Sequence, residues 1–311
     1  MKILVTGGAG FIGSTMVNLL ESKGHSVAVI DNLSTGKLEN LATRRPDTAF
    51  YLQDVRNAEI AKIFEIERPE LVIHFAAQAS VIDSVLDPVY DADVNLMGLL
   101  NLLKNSREYG VRKFIFISTG GAIYGDADVI PTPETYVPEV LSPYALTKHT
   151  SEGYLKIYNK LHGLSYSVLR LANVYGPRQV PKGECGVIPI YFERCLRGED
   201  AKLFAYADMP DGTYRDYVYV DDVCDAVLRC LDGGDGEIFN VGTGVETSTR
   251  GVFDMIKRLT GARSGLLVEG ARAGDVRRGI LDAGKLRRFG WSPTVDIEEG
   301  LRRTYLWLKG E

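Results

Sequence analysis

A tyrosine followed four residues later by a lysine could supply a general base if the two side chains share one face of a helix. This pattern occurs three times, at Tyr144/Lys148, Tyr109/Lys113 and Tyr305/Lys309. Only the first tyrosine follows a serine and a proline, which are favoured at the N-cap and at the first position of a helix. Lys148 then lies one turn further along the same face. Its ammonium would lower the tyrosine pKa from about 10 toward neutrality, which a general base needs. The alternative is a tyrosine stacked on a sheet beside a solvated lysine.

Two hydroxyl side chains end an apolar run just upstream. Ser118 and Thr119 follow Phe114–Ile117 and precede two glycines. Ligands of open α/β sheets bind at the carboxyl ends of the strands, so either hydroxyl is placed to bind a substrate oxygen. Alternatively, both hydroxyls cap the backbone of a turn.

A glycine-dense turn indicates a dinucleotide site. Gly7, Gly10 and Gly13 lie between a short apolar run and an amphipathic segment, 18 or more residues before Asp31. Such glycines allow a tight turn, a close approach to a pyrophosphate and close packing of helix on strand. Asp31 would bind the adenosine ribose and repel a 2′-phosphate, which favours NAD over NADP. The alternative is that Asp31 only opens a turn.

The elements that must position these residues alternate along the chain. Apolar runs predict strands at Ile3–Val5, Val27–Ile30, Ala49–Leu52, Leu71–Phe75, Phe114–Ile117 and Ser167–Leu169, and amphipathic stretches predict helices at Phe11–Ser22, Val89–Tyr109 and Tyr144–Leu161. This alternation predicts an α/β, doubly wound parallel sheet, a Rossmann fold, over residues 1–177. Residues 178–311 are expected to form a smaller mixed α/β substrate lobe, with some crossing of the chain between lobes. Its predicted elements are a strand at Val218–Val220 and helices at Ile190–Leu196, Asp221–Leu231, Gly251–Leu259 and Ile297–Leu308.

The composition narrows the range of partners. The 311 residues include 36 Lys+Arg and 41 Asp+Glu, a net charge of −5, which argues against a nucleic-acid partner. The four cysteines and four histidines show no zinc-ligand spacing, so no metal site is predicted. No apolar run spans a bilayer, and the N-terminus begins directly with a strand, so we expect a cytoplasmic protein without a membrane partner.

Taken together, these motifs resemble the extended short-chain dehydrogenase/reductase superfamily and, within it, the UDP-glucose (UDP-galactose) 4-epimerases. The matching pieces are Thr6–Gly13, Asp31–Ser34, His74–Ala77, Tyr144 with Lys148, Asn173–Arg178, Arg215–Val218 with Val220–Asp222, and Asn240–Gly244. The resemblance implies tightly bound NAD, a UDP-sugar substrate, a 4-keto intermediate and a homodimer whose interface includes Val89–Tyr109.

The resemblance also implies a role for each matching residue. Tyr144 would be the base and Lys148 would also bind the nicotinamide ribose, while Thr119, with Ser118 as second choice, would polarise the sugar O4. The implied cofactor-binding residues are Gly7, Gly10, Phe11, Ile12, Gly13, Asp31, Asn32, Ser34, Gly36, Asp54, Val55, Phe75, Ala76, Ala77, Gln78 and Asn95. The implied substrate-binding residues are Thr119, Asn173, Val187, Phe204, Arg215, Arg272, Asp275 and Gly279.

Some positions depart from the family pattern. Gly120 stands where many epimerases have serine, Ala79 where a lysine is common, and Leu171 where a tyrosine is common. Gly120 and Gly121 also replace the acidic pair of the dehydratases, which disfavours dehydration. The resemblance also implies that Gly279 lies beside the sugar C2 substituent, where a glycine would leave room for an N-acetyl group. Other nucleotide-sugar enzymes (a 4-ketoreductase, a uronate epimerase or a decarboxylase) and a non-catalytic NAD-binding regulator remain as alternatives.

Overall fold

The protein folds into two compact units that share the chain unequally. The structure, a computed structural model, describes residues 1–181, 186–271 and 275–311. The first unit contains residues 1–119, 142–170 and 224–239, and the second contains 120–141, 171–223 and 240–311. The sequence placed the boundary at residue 177 with some crossing of the chain between lobes; in the structure the chain leaves the first unit after Thr119 and returns to it twice.

The first unit is built on most of a seven-stranded sheet with helices packed on it. The strands are β1 (Lys2–Thr6), β2 (Ser26–Asp31), β3 (Ala49–Leu52), β4 (Leu71–His74), β5 (Lys113–Thr119), β6 (Ser165–Leu171) and, later in the chain, β10 (Glu237–Val241). The helices are α1 (Phe11–Ser22), α2 (Ile60–Glu67), α3 (Val81–Leu86), α4 (Pro88–Ala92), α5 (Gly98–Glu108) and α7 (Pro143–His162).

The strand order β10-β6-β5-β4-β1-β2-β3 confirms the doubly wound sheet. Pairing is parallel from β3 through β2, β1 and β4 to β5. Buried apolar side chains such as Leu4, Ile30, Val72 and Phe114 form the core with Leu99 of α5. The strands read as continuous apolar runs because both faces of a parallel sheet are covered. The edge strand β10 was not predicted, since it comes from the segment that returns to this unit after residue 223.

One predicted helix is interrupted. Instead of one helix over Val89–Tyr109, the structure has α4, a π-helical turn at Asp93–Met97 and then α5. A π-helical turn holds one extra residue, which changes the direction of the side chains that follow it. Apolar periodicity does not reveal such a turn because the pattern on either side still fits a helix.

The second unit is a mixed α/β assembly. Its strands are β7 (Asn173–Tyr175), β8 (Ala201–Ala205), β9 (Tyr214–Tyr219), β11 (Glu246–Ser248), β12 (Leu266–Gly270) and β13 (Arg278–Gly279). Its helices are α6 (Gly120–Ile123), α8 (Val187–Arg197), α10 (Thr249–Thr260), α11 (Gly284–Arg288) and α12 (Ile297–Lys309), while α9 (Val220–Arg229) runs from this unit into the first. Strand β9 pairs with β11 antiparallel and with β7 and β13 parallel. The strand predicted at Val218–Val220 starts earlier, and Val220 already begins α9.

Within the described ranges, no helix is long and apolar enough to cross a membrane.

Candidate active site

The glycine turn forms as predicted between β1 and α1. Gly7 has φ +69°, a left-handed conformation that glycine adopts without strain. A Cβ on Gly7 would lie 2.6 Å from the Ala76 backbone nitrogen, and one on Gly13 would overlap the Gly7 carbonyl oxygen. Gly10 is the N-cap of α1 and offers no capping side chain, and the first turn carries no acidic residue. The backbone N–H groups of Phe11, Ile12 and Gly13 are therefore presented at a positive helix end, which suits a pyrophosphate.

Asp31 ends β2 and organises the loop that follows it. One carboxylate oxygen accepts a hydrogen bond from the Ala9 backbone nitrogen at 2.9 Å, and the other accepts one from Leu33 at 2.8 Å. Burial raises the pKa of Asp31, and these two hydrogen bonds oppose the rise. Gly36 fits against the same carboxylate, where a Cβ would lie 3.1 Å from its oxygen. Asp31 therefore does stabilise the turn that follows β2, and each of its carboxylate oxygens retains a lone pair that can accept a hydrogen bond from a ribose hydroxyl.

An ion-pair network lies next to this loop. The Asn32 amide donates to Asp54 at 2.8 Å, and its own carbonyl accepts from the Ser34 backbone at 3.0 Å. Arg56, which the sequence did not single out, donates to both oxygens of Asp54 and to Asp93. This guanidinium holds the pKa of Asp54 well below its usual range. Val55, beside it, is buried and packs in the core of the first unit.

The loop after β4 is held by a buried amide pair. The backbone nitrogens of Phe75 and Ala76 both donate to the Thr6 carbonyl, and the Gln78 nitrogen donates to the Asn95 side chain at 2.9 Å. The Asn95 amide donates back to the Gln78 carbonyl at 2.9 Å. Asn95 lies in the π-helical turn, which explains how it faces this loop. In the structure, Asn95 therefore helps to fix the conformation of residues 75–78, and Ala77 lies between the hydrogen-bonded residues Ala76 and Gln78.

Asp91 joins this loop to α7 and was missed by the sequence analysis. It is fully buried, and it accepts hydrogen bonds from Gln78, Asn95 and Thr147 at 2.8–3.0 Å. Thr147 immediately precedes Lys148. An acidic residue inside an amphipathic stretch looks like a surface residue, so no local signal marks this one.

The Tyr144–Lys148 pair has the predicted helical geometry. Ser142 is the N-cap of α7 and accepts a hydrogen bond from the Ala145 backbone nitrogen, and Pro143 follows it. The Lys148 ammonium lies 6.0 Å from the centre of the Tyr144 ring and donates to the Ile117 carbonyl at 3.0 Å. Burial lowers the Lys148 pKa to about 8, and the charges of Asp91 and Glu152 oppose this change. A protonated Lys148 at neutral pH can stabilise a phenolate, since an opposite charge nearby favours the ionised form.

The two hydroxyls at the end of β5 have different surroundings. Ser118 is buried and donates to Glu152 at 2.7 Å, which commits it to the interior. Thr119 is the half-buried last residue of the strand. The geometry therefore does not support Ser118 as the group that contacts substrate, and it favours Thr119.

The predicted substrate residues of the described ranges all lie in the second unit except Thr119. Asn173 starts β7, and its buried side-chain oxygen, beside Gly121, has no hydrogen-bond partner among the residues that the structure describes. Such an atom is costly to leave unpaired, so it fits a position where a ligand donates a hydrogen bond. Val187 is the first residue of α8 and Phe204 lies in β8.

Arg215 and Gly279 are neighbours in paired strands of that unit. A Cβ on Gly279 would lie 3.7 Å from the Arg215 side chain, which is ordinary contact distance. One Arg215 nitrogen donates to the Tyr214 carbonyl at 2.9 Å and to the Arg277 carbonyl at 3.5 Å, and within the described part of the chain its other donors are left for an anion. Asp275 accepts a hydrogen bond from Tyr206 through its backbone carbonyl at 2.6 Å. Arg272 lies outside the described residues.

Two of the matching motifs have structural roles in the second unit. Asp216 is buried and accepts hydrogen bonds from Thr243 and Gly244, so it fastens the 242–244 loop to β9. Asp222 accepts from the backbones of Thr294 and Val295 and from the Thr294 hydroxyl. These acids are therefore tethers within the unit.

Comparison with known proteins agrees with this geometry. Residues 3–242 match the model of the NAD dependent epimerase/dehydratase family. A UDP-glucose 4-epimerase of Mycolicibacterium smegmatis is 44% identical over 100% of this chain and 99% of its own. The crystal structure of UDP-glucose 4-epimerase with UDP-glucose from Thermotoga maritima is 49% identical and superposes with a TM-score of 0.95, covering 100% of this chain and 99% of the other. The Thermus thermophilus UDP-glucose 4-epimerase complex with NAD is 44% identical with a TM-score of 0.93 over the same shares. This chain therefore belongs to the NAD dependent epimerase/dehydratase family.

Proposed function

We propose that the protein interconverts UDP-glucose and UDP-galactose through a 4-keto intermediate, with NAD tightly bound. The observation that carries the proposal is the Tyr144–Lys148 pair at the capped start of α7, in the same unit as the glycine turn and Asp31. When bound, NAD accepts a hydrogen with its electron pair from the sugar C4 and returns them to it. The glycine turn and Asp31 fit NAD. The glycines have no side chains, so the pyrophosphate can approach the backbone closely, and the Asp31 carboxylate can still accept a hydrogen bond from a ribose hydroxyl.

The chain's own residues move and hold the proton. Tyr144 takes the proton from the sugar O4 while the positive Lys148 favours its phenolate, and Thr119 donates a hydrogen bond to O4. The 4-ketose turns over within the site and is reduced on its opposite face, and Tyr144 then returns the proton to O4, so that C4 is inverted with no net redox change. The two glycines at 120 and 121 offer no acid–base pair for elimination. In the second unit, the Asn173 side-chain oxygen would accept a hydrogen bond from the substrate, and Arg215 would bind the diphosphate as a planar donor.

The test uses two tyrosines of the same sequence pattern. Tyr305 is followed by Lys309, whose ammonium lies 5.7 Å from its ring, but that lysine is exposed and pairs with Glu311. We expect purified protein to convert UDP-galactose into a stable mixture with UDP-glucose, measured by chromatography without added cofactor. Tyr144→Phe should lose at least about 10² of the rate, and Tyr305→Phe should keep it. Retained conversion in Tyr144→Phe, or no conversion by the wild type even with NAD added, would refute the proposal.

We also infer that the sugar site tolerates an N-acetyl group at C2, because Gly279 presents no side chain and a Cβ there already reaches Arg215 and Val276. Gly279→Tyr should then reduce use of UDP-N-acetylgalactosamine much more than use of UDP-galactose. Equal effects on the two sugars would show that Gly279 does not set this choice.

A cytoplasmic homodimer is the expected state. An apolar surface supports the dimer: Leu86 of α3, Val89 of α4 and Met97 of the π-helical turn are 78%, 77% and 54% exposed. Such side chains on neighbouring helices are typical of a protein–protein interface. Light scattering should give a dimer for the wild type and for Val268→Asp, which alters an exposed residue of β12, and a monomer for Val89→Asp. A dimeric Val89→Asp would place the interface elsewhere.

A further inference from the structure

Helix α7 and the end of strand β5 are joined by two consecutive contacts. The Lys148 ammonium donates to the carbonyl of Ile117 at 3.0 Å, and the Ser118 hydroxyl donates to the carboxylate of Glu152 at 2.7 Å. Lys148 and Glu152 are four residues apart and share one face of the helix. Tyr144 lies one turn before Lys148 on this face, and Thr119 follows Ser118 in the strand. Tyr144 and Thr119, which are proposed to contact the sugar O4, therefore lie next to these two contacts, at the start of α7 and at the end of β5.

The Glu152 carboxylate is itself fixed from behind. Glu152 is 1% exposed and Arg170, in the neighbouring strand β6, is 3% exposed. The guanidinium donates to both carboxylate oxygens, at 2.9 and 2.6 Å. The free energy needed to remove such an ion pair from water is about as large as the electrostatic attraction between its charges. Apolar side chains of similar size would therefore stabilise the fold equally well. A buried ion pair that also holds Ser118 is better explained by the position it enforces.

We propose that Glu152 is a positioning residue which, through Ser118, fixes the separation of Thr119 from Tyr144; this inference rests on the proposed function. Arg170 orients the carboxylate, the carboxylate holds the Ser118 hydroxyl, and the next residue in the strand is thereby set against the first turn of α7. Neither Glu152 nor Ser118 needs to contact the substrate for this effect.

Two serine-to-alanine variants separate positioning from packing. Ser118→Ala removes the bond to Glu152 and leaves the Glu152–Arg170 pair intact. Ser151→Ala removes an equally buried hydroxyl from α7, but that hydroxyl donates to the Thr147 carbonyl inside the same helix at 2.7 Å. We expect kcat to fall about tenfold in Ser118→Ala with KM within about twofold, since small misplacements of reacting groups are costly. Ser151→Ala should keep kcat within about twofold, and Ser118→Thr, which restores a hydroxyl, should recover part of the loss.

Amide hydrogen exchange gives a readout that does not depend on turnover. Residues 113–121 should exchange faster in Ser118→Ala than in the wild type, and Ser151→Ala should leave them unchanged. Equal kcat values in the two alanine variants, a change confined to KM, or unchanged exchange at the end of β5 would overturn the inference. A wild type that does not epimerise would refute the proposed function, and the exchange measurement would still decide whether Glu152 holds the strand.

Discussion

Replacing Gly7 by alanine tests the cofactor turn, because the structure supplies both the cost and a matched control. Gly7 and Gly110 have nearly the same left-handed φ, +69° and +72°. A side chain in this conformation costs about 1–2 kcal/mol at either position. The two differ in space, since a Cβ at Gly110 meets nothing within 4 Å, whereas one at Gly7 lies 2.6 Å from the Ala76 nitrogen.

The magnitude follows from that distance. Uncrowded carbon contacts with polar backbone atoms are about 3.3 Å or longer, so the Gly7 turn or the loop after β4 must move by roughly 0.7 Å. Overpacking of this kind costs a further 1–3 kcal/mol, roughly. Gly7→Ala should therefore lower the free energy of unfolding by about 2–5 kcal/mol, and Gly110→Ala by about 1–2 kcal/mol. A shift of this size at the pyrophosphate should also weaken NAD binding about tenfold or more.

Two assays separate these effects. Urea unfolding gives the free energy of each variant, and calorimetric titration of NAD into protein freed of cofactor gives its affinity. We expect weaker NAD binding in Gly7→Ala only. Affinities for Gly7→Ala and Gly110→Ala within twofold of each other would refute the close approach of backbone and cofactor at this turn.

Three other predictions follow from buried charges. Because the Lys148 pKa is about 8 and its charged form favours the phenolate, the rate of epimerisation should decline as the pH rises through that value. Asp91→Asn removes a charge that raises this pKa, so the alkaline decline in a pH–rate profile should move to lower pH. A decline at the same pH as in the wild type would contradict the electrostatic role of Asp91. Asp31→Asn removes a charge that would repel a 2′-phosphate by about 4 kcal/mol at 4 Å. Titrations with the two cofactors should therefore show that the preference for NAD over NADP falls by at least about tenfold. An unchanged preference would mean that Asp31 only shapes the turn. Asp222→Ala should lower the free energy of unfolding by about 3 kcal/mol because three hydrogen bonds to a buried carboxylate are lost. Asp221→Ala, at an exposed position, should change this free energy by less than about 0.5 kcal/mol. Similar urea midpoints for the two variants would argue against Asp222 as a tether.

Local patterns predicted much of the first unit. The bounds of α1 and β3 agree with the apolar runs that predicted them, and Ser142 caps the helix that carries Tyr144. These features depend on neighbours within one or two turns, which a sequence displays directly.

The rest depends on contacts between distant parts of the chain. Glu152 meets Ser118 across 34 residues, and β10 joins the sheet after the chain has passed through the second unit. Asp91 is buried although its residue type is usually exposed, because it accepts hydrogen bonds from the Gln78 amide, the Asn95 amide and the Thr147 hydroxyl. A buried polar contact has no period, so no pattern in the sequence marked these residues.

The most direct test of the central claim follows the hydrogen at the sugar C4. We would incubate the protein with UDP-galactose carrying deuterium at C4, in ordinary water, and analyse the product by mass spectrometry and NMR. We expect UDP-glucose that retains deuterium at C4, because the hydrogen is removed and returned within one site. Loss of deuterium to solvent, or its appearance at another carbon, would contradict the reaction proposed for Tyr144, Lys148 and Thr119.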